Sequence, residues 1–403
     1  MKFIFTSFLV FISPFLGAQN LCLTAEKTLE RIATNESYRI EMQRLDSLSM
    51  SFKEGRISSE SRDVKQYNIP VVVHVLYEYE ENNISPEQIH AQIDALNRDF
   101  NWEQSDKDKI PGIWQGIGKE SGFRFHLADK DPNGDFTTGI TRTKTSIKGI
   151  GSTDFYYNKQ RGGINPWPLP HYVNIWVCAL EGNLLGFSYL PSNSVEPNDG
   201  IVIDPRAFGS IGTAQSPYNL GRTLVHEMGH YFGLRHPWGN EEGSCTDSDY
   251  MNDTPWQREA NFGCKNFPTI SCSSEPDGDM FVNFMDYSND SCSLLFTKDQ
   301  VNFMQLIIRT SKVTLLHSPA ITGMGEESIN SRIAIYPNPS SGVFQADFFE
   351  DNSTPFEVKD ALGRTVQSGI IESGNKIDLT RFDDGMYFLV SSFGVQKLML
   401  KKG

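Results

Sequence analysis

One stretch of the sequence, GRTLVHEMGHYFGLRHPWG at 221–239, constrains the fold more strongly than any other. Its apolar residues recur at helical spacing, and positions four apart on a helix lie on the same face. His226 and His230 are therefore expected to point their imidazoles at one place. Gly233 can adopt the left-handed conformation that ends a helix and turns the chain sharply. That turn would bring His236 back beside the first two histidines.

Three converging imidazoles form the ligand set of a catalytic zinc. Zn²⁺ binds histidine nitrogens at about 2.0–2.1 Å, and three protein ligands leave the fourth position open for catalysis. Glu227 follows the first ligand and is placed to contact a water on the metal rather than the metal itself. The spacing therefore predicts a zinc site with Glu227 as its general base. A lone HExxH would be weaker evidence, because it arises by chance far more often than the full motif.

The motif HEMGHYFGLRH resembles the elongated zinc-binding motif of the metzincins. These proteins also carry a methionine turn beneath the metal, and NFMDYS at 283–288 supplies Met285, with Tyr287 two residues on. Within that clan, residues 67–318 look most like the pappalysin-type peptidases. The resemblance implies an α/β (α+β) catalytic domain with a mixed twisted sheet and a zinc-binding active-site helix. It also implies a metalloendopeptidase in which Tyr287 helps to stabilise the developing oxyanion.

Four cysteines after the zinc motif extend the resemblance. Their order matches the crossed pairing of that family, which implies the disulfides Cys245–Cys272 and Cys264–Cys292. The stretch CTDSDYMNDTP at 245–255 resembles the calcium loop of the family, and hard oxygen donors suit that cation. An ordinary turn rich in Asp and Asn is the alternative. By position, the candidate calcium ligands are Asp249, Thr254 and the backbone carbonyls of Thr246 and Asn252.

Substrate selection is assigned by the same resemblance. Asp290 falls where related enzymes place an acid at the floor of the S1′ pocket, which implies a preference for Arg or Lys just after the scissile bond. A solvated loop aspartate is the alternative. The run LLGFSYLP at 184–191 resembles the edge strand along which metzincins align a peptide by backbone pairing.

The first 66 residues read as two segments that are removed in turn. Residues 1–18 have a basic start, a short apolar run and a small-residue cleavage site, which is the anatomy of a secretory signal peptide; a buried N-terminal helix is the alternative. Residues 19–66 are polar and helical and resemble a pro-segment. Some related zymogens place a pro-segment cysteine on the zinc, and Cys22 is the candidate here, although Leu23 follows it where glycine is common. Arg56 and Arg62 offer cleavage sites in the loop that follows.

The sequence changes character after about 318. A linker at 319–332 leads into short alternating runs separated by turn residues, which predict a small all-β sandwich over 333–403. The IYPNPSSGVF start and the DDGMYFLV and QKLMLKK ending resemble the C-terminal sorting domain of type IX secretion. That resemblance implies export through the periplasm and the type IX machinery as a partner. A carbohydrate- or protein-binding sandwich is the alternative, because a fold does not fix a function.

Composition excludes two classes of partner. The formal charge of −14 argues against a nucleic acid, because phosphate binding requires a concentrated basic surface. No apolar run after the signal peptide is long enough to cross a bilayer. The expectation is a secreted, latent zinc endopeptidase acting on protein and peptide substrates. Two other hypotheses stay open: a catalytically silent binding protein on the same fold, and a zinc hydrolase of another substrate class.

Overall fold

A computed structural model provides the structure of the protein. The predicted signal peptide at 1–18, the candidate cleavage residue Arg62 and most of the linker at 319–332 lie outside the residues that it describes. The described residues are 21–57, 66–169, 171–192, 196–239, 243–321, 333–337, 340–348, 354–360, 363–371, 375–391 and 394–402.

A mixed sheet forms the centre of the catalytic region, in agreement with the predicted fold. Its strands are β1 (Tyr67–Tyr77), β2 (Phe123–Leu127), β3 (Ile140–Lys144), β4 (Val173–Val177), β5 (Gly186–Ser188) and β6 (Ile201–Ile203). They are parallel except for β5, which pairs antiparallel with β6 at one edge. The order is β2-β1-β4-β6-β5, with β3 pairing farther along β1.

Helices cover the sheet and supply most of the core. The side chain of Ser85 accepts the Gln88 N–H at the start of the helix that begins at Pro86. Thr297 forms a capping box with Gln300 at the start of the helix that begins at Lys298. Their apolar faces pack with β1 and β4 in one hydrophobic cluster. The three helices are α3 (Pro86–Phe100), α4 (Arg222–Tyr231) and α5 (Lys298–Thr310).

The predicted pro-segment contains helices α1 (Thr24–Thr34) and α2 (Glu36–Lys53). Asn35 separates them and caps α2 by accepting the Tyr38 N–H. The sequence suggested a polar segment, but one face of α2 is buried in the same cluster as the core of the catalytic region, through Tyr38, Met42, Leu45 and Phe52. The rings of Phe52 and Phe303 meet edge to face with centroids 5.4 Å apart. The segment is therefore an integrated layer of the fold.

The C-terminal strands form two antiparallel sheets with a hydrophobic cluster of their own, as an all-β sandwich requires. The strands are β7 (Ile333–Tyr336), β8 (Val343–Phe348), β9 (Thr354–Asp360), β10 (Thr365–Ile371), β11 (Asn375–Asp378), β12 (Gly385–Ser391) and β13 (Gly394–Leu400). One sheet has the order β10-β9-β12-β13 and the other has the order β11-β8-β7.

Among the described residues, no helix combines the length and apolarity needed to cross a bilayer.

Candidate active site

The three histidines of the motif meet at one point. His226 and His230 lie one turn apart on α4, and His236 follows the end of the helix. Their Nε2 atoms are 3.1 Å apart for His226–His230, 3.1 Å for His230–His236 and 3.3 Å for His226–His236. The other ring nitrogens of the first two bond backbone carbonyls: His226 Nδ1 lies 2.8 Å from Phe284 O, and His230 Nδ1 lies 2.8 Å from Leu234 O. These contacts leave both Nε2 lone pairs directed at the shared point.

A glycine turn returns the chain to the helix. Gly233 has φ +92°, a left-handed conformation that strains other residues. A Cβ at this position would lie 3.1 Å from atoms of both Ile307 and Phe303 on α5. The tight approach and the positive φ together place His236 beside the other two histidines.

The histidine cluster fits a zinc ion. Tetrahedral ligands about 2.0–2.1 Å from a metal lie about 3.3 Å from one another, close to the Nε2 separations found here. Burial lowers the pKa of His226 to about 4 and lowers the pKa values of His230 and His236 as well. The imidazoles are therefore neutral, as metal ligands must be. The Cys22 Sγ atom joins the group, with all four candidate ligand atoms within 4.8 Å of one another.

Glu227 lies beside this cluster and is fully buried. Its Oε1 atom has no hydrogen-bond partner among the described residues, while its Oε2 atom accepts the Thr24 hydroxyl at 3.1 Å. Burial raises the pKa of Glu227 to about 8. Gly186 of β5 packs against the same side chain, since a Cβ there would lie 3.1 Å from Glu227 Cγ. The carboxyl group thus lies between the histidines and the edge strand.

Met285 and Tyr287 frame the cluster from the loop after it. Met285 packs beneath α4 at Gly229, where an added Cβ would lie 2.4 Å from the Met285 Sδ atom. The Tyr287 ring lies 5.0 Å from that of His236, and its hydroxyl donates to the Cys22 carbonyl oxygen at 3.2 Å. The phenol therefore already holds a peptide carbonyl next to the histidines.

A cavity extends from Glu227 to Asp290. The Asp290 Oδ2 atom accepts the Leu220 N–H at 2.6 Å and the Arg222 N–H at 3.4 Å. Arg222 itself pairs with two other acids, Asp99 at 3.3 Å and Asp106 at 2.9 Å. Burial raises the pKa of Asp290 to about 6. The cavity wall therefore carries an acid that is ionised at neutral pH.

Two disulfides cross-link the loop after the zinc helix. They join Cys245 to Cys272 and Cys264 to Cys292, the pairing that the resemblance implied. Closing loops of 27 and 28 residues restricts the unfolded chain and so stabilises this region.

The candidate calcium ligands are only partly brought together. Asp249 and Thr254 are buried and in contact, and burial raises the pKa of Asp249 to about 8. The side chains of Thr246 and Asn252 are engaged elsewhere: Thr246 Oγ1 lies 2.7 Å from Ser244 Oγ, and Asn252 Nδ2 donates to Lys53 O at 2.8 Å. Backbone carbonyls were the predicted donors at those two positions. Calcium binding stays a prediction.

Two residues of the site were missed from the sequence. Thr24 contacts Glu227 across 203 positions of the chain, and no local pattern marks such a contact. Ser288 borders the cavity with a buried hydroxyl that has no hydrogen-bond partner among the described residues. Its closeness in sequence to Tyr287 and Asp290 was the only available signal.

Comparison with known proteins identifies the family. A model of the peptidase family described as pregnancy-associated plasma protein-A matches residues 164–309, and a model of the secretion system C-terminal sorting domain matches 334–402. An extracellular metalloprotease of Arthroderma gypseum is 31% identical over 269 residues, which cover 65% of this chain and 79% of the relative. The chain belongs to the pappalysin family.

Solved structures of similar proteins support the same family assignment. Mature mirolysin of Tannerella forsythia, in complex with a cleaved peptide, is 41% identical with a TM-score of 0.60, covering 62% of this chain and 96% of its own. A promirolysin variant from the same organism is 37% identical with a TM-score of 0.65, covering 74% and 97%. This pappalysin is therefore a secreted metalloendopeptidase with a type IX sorting tail.

Replacing Gly233 by alanine should cost about 1–2 kcal/mol of stability through the left-handed backbone and should also weaken zinc retention, because the turn positions His236. The measurements are the melting temperature and the zinc content after dialysis against a weak chelator. Gly182→Ala is the control, since Gly182 also has a positive φ, +64°, but a Cβ there has no neighbour within 4 Å. Gly182→Ala should lower the melting temperature and leave the zinc content unchanged. Equal zinc retention in both variants would contradict the role given to the turn.

Proposed function

We propose that this pappalysin is a zinc-dependent endopeptidase that is made latent and cleaves before Arg or Lys. The observation that carries the proposal is the meeting, in one cleft, of three Nε2 atoms, a Glu227 oxygen with no hydrogen-bond partner among the described residues, and a peptide carbonyl held by Tyr287. Metal-dependent hydrolysis of an amide uses these parts together: a metal site, a base and an oxyanion donor.

His226, His230 and His236 would hold the zinc. When bound, zinc supplies Lewis acidity that activates water at neutral pH and polarises a carbonyl. Glu227 Oε1 is the proposed proton acceptor for the attacking water, and Glu227 then donates to the leaving amine. The Tyr287 hydroxyl donates to the scissile carbonyl oxygen, as it does to Cys22 O in this structure. Met285 shapes the floor under the helix.

Latency is proposed to come from residues 19–66. The backbone of Leu21 to Leu23 pairs with the edge strand: Leu185 N donates to Leu21 O at 2.9 Å, and Leu23 N donates to Gly186 O at 3.3 Å. Cys22 thereby brings its Sγ atom to the histidines, where a thiolate would fill the remaining zinc position. A substrate cannot pair with β5 while this segment occupies it. Cleavage after α2, at Arg56 or Arg62, would start activation.

Calcium is proposed as a second, structural ion. Asp249 is buried, and no salt bridge to it occurs among the described residues, although Asp253 adds negative charge nearby. A buried carboxylate without a cation is costly, and a hard divalent ion bound by Asp249, Thr254 and backbone carbonyls would offset that cost.

Glu227→Ala in the mature enzyme should lower kcat on casein or a peptide by about 10²- to 10⁴-fold, because the proton acceptor is lost. Zinc content should stay unchanged, since Glu227 is not a ligand. A chelator should abolish activity and added zinc should restore it. Glu120→Ala, an exposed glutamate, is the control. Activity that survived both the Glu227 substitution and the chelator would favour another chemistry, and an unchanged mature protein without any activity would favour the silent binding protein.

Asp290→Asn should reduce the preference for Arg or Lys at P1′ by roughly ten- to a hundredfold, the value of a charge-assisted hydrogen bond. The pKa of Asp290 is about 6, so the unchanged enzyme should lose the same preference as the pH falls below 6 and the carboxylate is protonated. A peptide library read at pH 5 and pH 8 measures both effects. Asp277→Asn is an exposed control. Indifference to the P1′ residue at both pH values would remove the role of Asp290.

A further inference from the structure

The wall of the cavity that contains Asp290 also holds a serine hydroxyl, two residues earlier in the chain. Ser288 borders the cavity, is 5% exposed, and its hydroxyl has no hydrogen-bond partner among the described residues. Ser293 borders the same cavity, but its hydroxyl lies 3.4 Å from Asn283 O and is committed to the backbone. A buried hydroxyl without a partner is unfavourable, and a ligand that bonds it regains that loss. Ser288 is therefore suited to bind what enters the cavity.

The hydrogen bonds of Asp290 limit what it can accept. Among the described residues, both backbone N–H groups that bond its side chain go to Oδ2. A guanidinium carries five N–H donors in a rigid planar fork, more than one remaining carboxylate oxygen can accept. An ammonium is a compact point charge that the carboxylate alone can satisfy. A second acceptor on the wall thus matters for arginine rather than for lysine.

We propose that Ser288 is a specificity-determining residue that favours arginine over lysine at P1′. The proposal rests on the assignment of this cavity and Asp290 to P1′ binding. Asp290 supplies the charge, which both basic side chains use, and the Ser288 oxygen accepts a guanidinium N–H that Asp290 leaves unbonded.

The test uses the mature enzyme and three peptides that differ only in Arg, Lys or Leu at P1′. Ser288→Ala should lower kcat/KM for the Arg peptide by about tenfold and change the other two by less than about twofold. Ser288→Thr, which keeps the hydroxyl, should retain the arginine preference, and Ser293→Ala should behave as the unchanged enzyme.

An equal effect of Ser288→Ala on all three peptides, or none on the Arg peptide, would overturn the proposal. The Asp290→Asn variant distinguishes a failure of the role given to Ser288 from a failure of the P1′ assignment. If that substitution removes the basic preference while Ser288→Ala does nothing, only the role of Ser288 is wrong. If Asp290→Asn leaves the preference intact, the P1′ assignment itself is wrong.

A second inference comes from a different contact, in the pro-segment. Thr24 is 2% exposed, and its hydroxyl donates to Glu227 Oε2 at 3.1 Å while accepting the Ser188 N–H at 2.9 Å. Its backbone N–H lies 3.4 Å from Cys22 Sγ. One side chain therefore joins the general base to the edge strand, next to the cysteine.

We infer that Thr24 is a second latency element, acting on Glu227 rather than on the metal. The Thr24 hydroxyl uses its only proton on Glu227 and one lone pair on β5, so the carboxylate is held toward the pro-segment. A carboxylate bonded in this way is not free to turn toward a water or a substrate. Latency then has two parts, one at the zinc and one at the base.

The test uses the full chain before processing, assayed with a short peptide. Thr24→Val should raise basal activity roughly tenfold, the value of one lost hydrogen bond to the Glu227 carboxyl group, with zinc content unchanged. Thr24→Ser should stay latent. Thr34→Val is the control, because Thr34 is an exposed threonine of α1 whose hydroxyl bonds the backbone of its own helix.

A double variant that combines Thr24→Val with Cys22→Ala tests whether the two residues contribute separately to latency. Cys22→Ala alone should leave part of the latency, and the double variant should exceed either single variant. A double variant no more active than Cys22→Ala, with Thr24→Val as silent as the unchanged chain, would overturn the inference. The mature enzymes from all variants should be identical, since the changed residues are absent from them.

Discussion

Two backbone carbonyls determine where the histidines meet. Phe284 O and Leu234 O bond the Nδ1 atoms of His226 and His230, which fixes the orientation of both rings. One carbonyl belongs to the loop that carries Met285, and the other belongs to the turn after Gly233. The metal site can therefore form only when the helix, its turn and that loop are all in place. Asp286 helps to hold the loop, because its carboxylate accepts the Asn261 N–H at 2.8 Å.

On the proposed function, one short strand would serve both the latent and the active form. β5 lies at the edge of the sheet, pairs with the backbone around Cys22 and packs on Glu227 through Gly186. An exposed strand edge is a template for any extended peptide. The segment around Cys22 and a substrate would then compete for the same N–H and C=O groups, so backbone pairing alone would make occupancy by one exclude the other.

The sequence predicted the parts of the fold that follow from local spacing. The zinc helix could be found because its motif and its periodicity lie within a few residues, whereas the cystine pairing came from the family resemblance and not from local spacing. β3 was missed, since ITRTK is largely polar and its pairing partner lies far away in sequence. Contacts such as Thr24 with Glu227, or Asn198 with Arg31, join distant segments, and only the folded chain brings them together. Residues 19–66 were read as polar and helical, so the burial of one face of α2 against α5 was not predicted.

The packing of α2 has a consequence for activation. While the loop after α2 is intact, the contact of Phe52 with Phe303 and the salt bridge of Asp46 with Arg235 form within one molecule. Cleavage of that loop turns the binding of α2 into a bimolecular equilibrium, whose occupancy depends on protein concentration. A cleaved but undiluted sample can then remain largely inhibited, while the same sample becomes active on dilution. Release of the segment, rather than the cut itself, would then set the onset of proteolysis.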